Sequence, residues 1–336
     1  MPGQLDRLPR ARLAHLPTPL EPMPRLAAAL GLAEAWVKRD DCTGLAFGGN
    51  KARQLEFYLG EAVAAGADAV LITGAVQSNY VRQAAAAAAR LGMAAHVQLE
   101  HRTPRDDPAY RASGNVLLDR LLGATIHDYP EGEDEAGADR ALQAIADRLR
   151  ARGRRPYVIH LGPGHPPLGA LGYVEAARET LAQMAAAGIA PDEIVVPSGS
   201  GATHAGFLTG LRALGATIPV TGACVRRPAA AQHPRLIARC AEIAGLLGLA
   251  NPVTADDIRL TDAALAPGYG QLNAATAGAI RLAARAEALV LDPVYSGKAM
   301  AAVIERARPG GRLMFLHTGG SPAVFAYPDE MAALAG

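Results

Sequence analysis

The sequence predicts an α/β protein of two lobes, each built on an open, mostly parallel sheet covered by helices. Its 336 residues, half of them hydrophobic, can bury two moderate cores. Short apolar runs alternate with helical segments along most of the chain, as they do where helices cover both faces of a parallel sheet. Residues 162–167 contain three prolines and two glycines, so they cannot lie inside a helix or strand, and we place the crossing between the lobes there.

Local composition predicts the elements of the first lobe in order. Leu16-Pro17-Thr18-Pro19-Leu20 is too rich in proline for regular structure and predicts an extended arm. A short helix over residues 23–30 and a strand over 35–40 follow. The alternating pattern then predicts strands over 69–73, 94–99, 124–127 and 157–160, and helices over 79–91, 114–122 and up to residue 152. We interpret residues 101–110 as an exposed loop.

The second lobe repeats the alternation. The predicted helices cover residues 170–187, 203–214, about 234–247, 274–285 and 298–306. The predicted strands cover residues 193–197, 219–225 and 312–317.

Composition excludes several classes of partner. A net charge of +1 is not the excess of positive charge that is typical of proteins that bind nucleic acid or an acidic membrane surface. The apolar runs are broken by charge before they reach the ~18 residues of a membrane span, and residues 1–12 lack the features of a secretory leader. Cys42, Cys224 and Cys240 show neither paired nor metal-binding spacing. We therefore expect a cytoplasmic protein without a metal site.

Lysine is nearly absent from the chain, and this makes Lys51 informative. The three lysines are Lys38, Lys51 and Lys298, whereas arginine supplies the remaining basic charge. Arginine cannot lose its proton and attack a carbonyl, and lysine can. Lys51 follows Gly48-Gly49-Asn50 at a predicted helix start, where the helix dipole opposes an ammonium group. It is therefore a candidate Schiff-base lysine, with an ordinary surface lysine as the alternative.

The other two lysines have different interpretations. Lys298 also follows a loop and precedes a helix, so it is a rival for the same role. Lys38 ends a predicted strand beside Asp40 and Asp41 and is interpreted as an ion-pair partner.

A glycine- and serine-rich turn between a strand and a helix predicts a phosphate site. Residues 198–203 read Ser-Gly-Ser-Gly-Ala-Thr, which gathers unpaired amides and hydroxyls at a helix N-terminus. The stretch lacks the lysine of a nucleotide-hydrolysing loop and the glycine spacing of a dinucleotide site. It therefore favours a cofactor anchor, with an ordinary turn as the alternative.

Three further loops offer polar groups. Ser78 and Asn79 follow a predicted strand and could bind a carboxylate or cap the next helix. Tyr269 and Tyr295 lie in loops bounded by glycine and proline and are candidates for acid–base work, or else buried spacers. Thr318 follows a strand and offers a hydroxyl beside two glycines.

Taken in order, these stretches resemble the fold-type II pyridoxal-phosphate enzymes that include D-cysteine desulfhydrase, L-cysteate sulfo-lyase and 1-aminocyclopropane-1-carboxylate (ACC) deaminase. Each stretch alone is weak, but their order and spacing together are specific. The stretches that carry the resemblance are residues 13–20, 38–41, 48–51, 77–79, 169–173, 267–270, 292–295 and 317–320. The implied fold is tryptophan synthase β-like, with residues 1–50 and 166–336 as the large cofactor-binding domain and residues 51–165 as the small domain.

The resemblance also implies a cofactor, pyridoxal 5′-phosphate, and a role for each site residue. Lys51 would bind the cofactor aldehyde and move the substrate proton. The implied cofactor contacts are Lys51, Asn79, Ser200, Gly201, Ala202, Thr203, Ser296 and Thr318. The implied substrate contacts are Gln77, Ser78, Asn79 and Tyr80, and the implied catalytic groups are Lys51, Ser78, Tyr269 and Tyr295.

The implied activity is β-elimination on a small amino acid by a homodimer. Ser296 and Thr318 resemble the desulfhydrases, whereas ACC deaminases have Glu and Leu there. We therefore expect D-cysteine desulfhydrase or L-cysteate sulfo-lyase activity, with ACC deamination, another lyase reaction or β-replacement as alternatives. Tyr80, where relatives usually have His, and Phe47 would reshape the pocket mouth. A non-catalytic phosphate-binding protein is the alternative from a different class.

Overall fold

The computed structural model of the chain describes residues 5–162 and 164–335. Its strands are β1 (Leu20–Pro22), β2 (Glu34–Arg39), β3 (Ala69–Ala75), β4 (Ala94–Glu100), β5 (Thr125–Tyr129), β6 (Pro156–Ile159), β7 (Glu193–Ser198), β8 (Val220–Cys224), β9 (Arg259–Thr261) and β10 (Arg312–His317).

The α-helices follow the same chain order. They are α1 (Pro24–Leu30), α2 (Lys51–Ala64), α3 (Asn79–Arg90), α4 (Pro108–Ala112), α5 (Gly114–Leu121), α6 (Glu135–Arg150), α7 (Leu171–Ala187), α8 (Ala202–Ala213), α9 (Ala229–Leu246), α10 (Ala274–Glu287), α11 (Ser296–Arg306) and α12 (Pro328–Ala335).

The strands form two separate sheets. The larger has the order β1-β2-β10-β7-β8-β9 and the smaller the order β5-β4-β3-β6. Only the β1–β2 pair is antiparallel among these strands, and every other pair is parallel. The predicted fold class, two open parallel α/β sheets, is confirmed. The parallel order also brings the carboxyl ends of the strands in each sheet to one edge, where ligands bind in folds of this kind.

Each sheet has its own apolar core. In the larger, helices α7 and α8 pack against β7, with Tyr173, Phe207 and Ile194 fully buried. In the smaller, the alanines of α3 pack against β3, and Ala85, Ala87 and Ala88 are fully buried. Their small side chains fit a buried face that longer residues would overfill. The boundaries predicted at residues 50/51 and 165/166 stay a prediction, and residues 1–4, 163 and 336 lie outside the described part of the chain.

A buried network of charges fixes the start of α2. The Arg53 guanidinium donates to both oxygens of Asp40, at 3.0 and 2.9 Å, and to both oxygens of Glu179, at 3.0 and 2.7 Å. Lys38, predicted to be an ion-pair partner, binds Glu179 at 2.5 Å. The Thr18 hydroxyl donates to Asp40 at 2.7 Å. The arm, β2, α2 and α7 are thereby joined at one point.

The structure differs from prediction mainly at short elements and at one proline. Strands β1 and β9 were not predicted, because three residues cannot show a period-two alternation. Helix α4 falls within residues interpreted as a loop, and α12 was not predicted. Helix α9 begins at Ala229 instead of near residue 234, and Pro234 lies inside it. Within the described residues, no helix is both long and apolar enough to cross a membrane.

Replacing Arg53 with methionine should lower the unfolding free energy by about 3–5 kcal/mol, because Asp40 would stay buried without its direct cationic partner. Arg178→Met is the matched control: Arg178 pairs with Glu175 at 2.8 Å, but its side chain is 54% exposed, so its loss should cost at most about 1 kcal/mol. Urea unfolding followed by circular dichroism measures both. Equal destabilisation of the two variants would contradict this account of the network.

Candidate active site

A cleft opens where the carboxyl ends of strands from both sheets meet. It encloses about 840 Å³ of space when its open mouth is included. The residues from the sequence-predicted set that line it are Lys51, Ser78, Asn79, Tyr80, Ser200, Gly201, Thr203, Tyr269, Tyr295 and Thr318. Gln77, Ala202 and Ser296 do not contribute to the lining.

Lys51 is the first residue of α2 and projects into this cleft. Burial lowers the pKa of its amine to about 8, because a desolvated site disfavours the ammonium form. Its Nζ lies 4.6 Å from the centroid of the Tyr80 ring, which shields one side of the amine from water. A minority of the Lys51 amine is therefore neutral and nucleophilic at physiological pH, and this fraction grows as the pH rises through 8.

The loop before Lys51 requires glycine. Gly48 has φ +66°, and a Cβ there would lie 1.9 Å from the carbonyl oxygen of Asp41. Gly49 has φ +122°, and a Cβ there would lie 2.4 Å from Nε2 of Gln83. Any side chain at either position would displace this loop, and with it Lys51.

The rival lysine has a structural role. Lys298 is fully buried, and its Nζ donates to the carbonyl oxygens of Leu265 and Gly268, at 2.7 and 2.8 Å. Burial also lowers its pKa to about 8, but it does not line the cleft. It holds the loop that carries Tyr269, and Lys51 is the lysine that faces the cleft.

The turn between β7 and α8 forms an anion cradle. Gly201 has φ +90° and precedes α8, so the first amides of a twelve-residue helix face the cleft without an internal partner. The Thr203 oxygen accepts hydrogen bonds from Nδ2 of Asn50 and Nε2 of Gln54, both at 2.8 Å. With both lone pairs engaged, its hydroxyl proton is free to donate to an anion.

Asn50 was not predicted as a site residue, yet it joins three parts of the cleft. Its side chain binds Thr203, its backbone N–H donates to the carbonyl oxygen of Thr318 at 3.0 Å, and Lys51 follows it. Its position between Gly49 and Lys51 was the available clue in the sequence.

The loop after β3 directs donors into the cleft. The Asn79 oxygen accepts a hydrogen bond from Nδ2 of Asn115 at 3.0 Å, which leaves the Asn79 amide hydrogens available to a ligand oxygen. The Ser78 oxygen caps α3 by accepting from the N–H of Val81 at 3.3 Å, so its hydroxyl proton can also donate. The predicted cap is thus present, and the role of this loop as a donor to a ligand stays a prediction.

The Gln77 side chain is occupied elsewhere. It donates to the carbonyl oxygens of Tyr110 and Ser113, at 2.6 and 3.0 Å, and accepts from the N–H of Asn115 at 2.9 Å. All these partners are backbone groups of residues 110–115. The side chain therefore supports the Ser78–Asn79 loop from behind.

Tyr269 and Tyr295 form a pair across the cleft from this loop. Their hydroxyl oxygens lie 2.6 Å apart and their rings meet edge to face. Burial raises the pKa of both, so both are protonated at neutral pH. One hydroxyl donates to the other, and the second proton remains available for a reacting group.

Ser296 and Thr318 occupy different environments. The Ser296 hydroxyl donates to Asp292 at 2.6 Å and accepts from the backbone N–H of Asp292 at 2.8 Å, so it organises the start of α11. Thr318 lines the cleft. Phe47, expected near the pocket mouth, is 65% exposed and does not line the cleft.

Thr73, Arg102 and Arg226 also line the cleft, and the sequence did not single them out. Each lies at or just after the carboxyl end of a parallel strand. A position at a strand end is typical of ligand-binding residues in such folds. In the sequence alone, however, it does not distinguish these two arginines from the many others in the chain.

Comparison with known proteins identifies the family. A family model described as "Pyridoxal-phosphate dependent enzyme" matches residues 11–319. The chain belongs to the pyridoxal-phosphate dependent enzyme family. The D-cysteine desulfhydrases of Salmonella choleraesuis (strain SC-B67) and Salmonella paratyphi C (strain RKS4594) are each 45% identical to it over 328 residues, which is 96% of this chain and 97% of each relative.

Solved structures agree with this assignment. The crystal structure of an ACC deaminase homologue is 36% identical, with a TM-score of 0.88 over 99% of this chain and 98% of that one. An L-serine ammonia-lyase from Rhizomucor miehei, 18% identical with a TM-score of 0.64 over 96% and 98% of the two chains, shares the fold alone. The predicted resemblance to the D-cysteine desulfhydrase and ACC deaminase family is confirmed, and so is the fold-type II architecture.

The cofactor of this family is pyridoxal phosphate, and the donors in the cleft fit it. The cradle at the start of α8 and the Thr203 hydroxyl suit a phosphate dianion. The Asn79 amide suits a ring oxygen, and the low-pKa amine of Lys51 suits an aldehyde.

In the cofactor-free protein, acetylation of Lys51 should increase with pH along a curve with its midpoint near 8. The amine is protonated and unreactive below its pKa and neutral above it, and burial lowers that pKa. Competitive labelling with acetic anhydride, followed by peptide mapping, measures this titration. The internal standard is Nα-acetyl-lysine amide, whose amine has a pKa of about 10.4. A Lys51 that titrates together with the standard would rule out the proposed desolvation.

Proposed function

We propose that this protein is a carbon–sulfur lyase that converts D-cysteine and water into pyruvate, ammonia and hydrogen sulfide. The observation that carries the proposal is the position of the Lys51 amine in the same cleft as the Tyr269–Tyr295 pair. Such a cleft offers one group to take a proton from the substrate α-carbon and another to protonate a departing sulfur. Further support comes from the relatives that are named D-cysteine desulfhydrases and match nearly the whole chain.

Pyridoxal phosphate, when bound, supplies the electron sink that stabilises negative charge at the α-carbon. The chain's own residues then divide the remaining work. Ser78 binds the substrate carboxylate through its free hydroxyl proton, with neighbouring amides of the same loop. Asn79 and the cradle from Ser200 to Thr203 fix the orientation of the cofactor. Lys51 takes the α-proton, because its amine is neutral over a useful pH range.

The tyrosine pair acts on the leaving group. As the bond between the β-carbon and sulfur breaks, the sulfur takes the electron pair and needs a proton. The hydroxyl proton that is not used within the pair can be donated to the sulfur. The second phenol then stabilises the resulting phenolate oxygen by donating a hydrogen bond to it. Because the phenol is neutral before the proton moves, it does not repel the negative charge that develops on the sulfur.

Neutral hydroxyls around the cofactor favour elimination over ACC deamination. Thr318 faces the cleft and Ser296 lies behind it, held by Asp292. We propose that the Thr318 hydroxyl lies nearest the pyridine nitrogen. A hydroxyl there leaves the nitrogen less firmly protonated than a carboxylate would, which suits loss of a good leaving group better than opening of a cyclopropane ring.

L-Cysteate sulfo-lyase activity, which releases sulfite, is a second candidate, and two arginines in the cleft favour it. Arg102 is held by two hydrogen bonds to Glu100, both of 2.8 Å. The Arg226 side chain is 8% exposed, and its buried Nε has no partner among the described residues. A sulfonate is a permanent anion that needs such donors, whereas a thiol does not.

We also propose that the chain works as a cytoplasmic homodimer with the two domains defined by the predicted boundaries. The family resemblance supports this assembly. Light scattering of the purified protein in solution measures the oligomeric state.

The holoenzyme should release pyruvate and sulfide from D-cysteine, and Lys51→Ala should release neither, because Lys38 and Lys298 do not line the cleft. The same assay with L-cysteine, L-cysteate and ACC, read as pyruvate, sulfide, sulfite and 2-oxobutyrate, distinguishes the candidates. Sulfite and pyruvate from L-cysteate would favour the second candidate. Production of 2-oxobutyrate from ACC, or no pyruvate from any substrate, would contradict β-elimination.

Arg226→Gln is the control that separates the two eliminations. If the guanidinium binds a sulfonate, its loss should lower kcat/KM for L-cysteate about 10- to 100-fold, the effect of a charge-assisted hydrogen bond worth about 1.5–3 kcal/mol. The value for D-cysteine should change much less. An equal loss with both substrates would show that Arg226 does not discriminate between their leaving groups.

A further inference from the structure

Three ligand-type side chains converge outside the cleft, near the crossing between the lobes. Asp139 lies on the first half of α6, His160 directly follows β6, and His165 lies in the crossing segment. One carboxylate oxygen of Asp139 is 2.6 Å from Nδ1 of His160, and the other is 3.4 Å from Nε2 of His165. Ligand-capable atoms of all three residues lie within 4.8 Å of one another.

The backbone that presents the two histidines is held from both sides. His160 follows a strand paired with β3. The Arg239 guanidinium approaches the carbonyl oxygens of Leu161 and His165, at 3.4 and 3.5 Å. The side chains of Asp139, His160 and His165 are 29%, 22% and 38% exposed, so an ion can reach them from solvent. The cluster therefore combines a supported backbone with access.

We infer that Asp139, His160 and His165 form a binding site for a divalent transition metal ion, with zinc the best match. Two imidazoles and one carboxylate are a common zinc donor set, and a fourth position would be filled by water. Zinc bonds of about 2.0–2.2 Å in a tetrahedron place ligand atoms roughly 3.3–3.6 Å apart. The 3.4 Å distance between Asp139 and His165 fits this range, whereas the 2.6 Å distance between Asp139 and His160 must lengthen when an ion binds.

Binding requires movement of side chains only. The imidazoles of His160 and His165 now stack face to face, with centroids 3.9 Å apart and planes 6° apart. Ligation needs the lone pairs of both rings to converge on one point, so the rings must rotate out of the stack. The ion would then tie α6 to the crossing segment. Leu161, next to His160, lines the cleft, so an occupied site would also stiffen one wall of the cleft.

Zinc titration of the chelator-treated holoenzyme tests the site. By isothermal calorimetry in a buffer without phosphate, the wild type should bind zinc at this site, and His165→Gln and Asp139→Asn should each weaken binding at least tenfold. His101→Gln is the matched control: His101 also pairs with a carboxylate, that of Asp128, at 2.6 Å, but it has no second imidazole. Cys42→Ser controls for the exposed thiol.

Cobalt(II) provides a second readout that does not depend on activity. The wild type should give the visible absorption band of a four-coordinate site, and both ligand variants should lose it. Retained cofactor absorbance shows that the variants are folded. A wild type that binds neither ion, or ligand variants that bind both like the wild type, would overturn the inference. Loss of binding in Cys42→Ser or His101→Gln alone would also overturn it, because the ion would then lie elsewhere.

Discussion

The burial of one arginine between two carboxylates sets the geometry of the site. Arg53 contacts Asp40 and Glu179 with four hydrogen bonds inside the protein, and a buried charge without such partners would be very costly. Residues two positions apart on a helix point in directions about 200° apart. Because Arg53 must face the buried network, Lys51 must face the opposite way, into the cleft. The network thus orients the helix, and the helix orients the amine.

The chemistry of the cleft follows from which groups are desolvated and which are paired. Lys51 is desolvated without a carboxylate partner, so its pKa falls. The tyrosines are desolvated and paired with each other, so they keep their protons. The anion cradle depends on a helix N-terminus and on Thr203, whose oxygen is already engaged by two amides. The cleft thus brings together a desolvated amine, two protonated phenols and a helix N-terminus, the groups that the proposed elimination uses.

The sequence predicted the parts of this arrangement that repeat or that are rare. The hydrophobic periodicity and the alternation of apolar runs with helical segments predicted the long strands and helices. The scarcity of lysine singled out Lys51. The glycine–serine turn predicted the anion cradle, whose helix start lies within one residue of the predicted one. Strands β1 and β9 are too short to show a pattern, and Pro234 suggests a helix boundary although α9 continues through it. Lys298 and Gln77 are chemically plausible site residues, but the fold engages their side chains with backbone groups outside the cleft.

Arg102 and Arg226 also show that local sequence does not identify every residue that lines the cleft. Nothing in the neighbouring sequence separates them from the other arginines, and only the packing of the two sheets, which brings the ends of β4 and β8 to one cleft, reveals them. Local sequence can therefore predict which residues have the right chemistry, but tertiary contacts decide which of them reach the substrate.

The most direct test is reduction of the holoenzyme with borohydride, followed by proteolysis and mass mapping of the cofactor-modified lysine. Because the chain has three lysines, the outcome is unambiguous. This account predicts the pyridoxyl group on Lys51. A label on Lys298 or Lys38, or no labelled lysine, would contradict it.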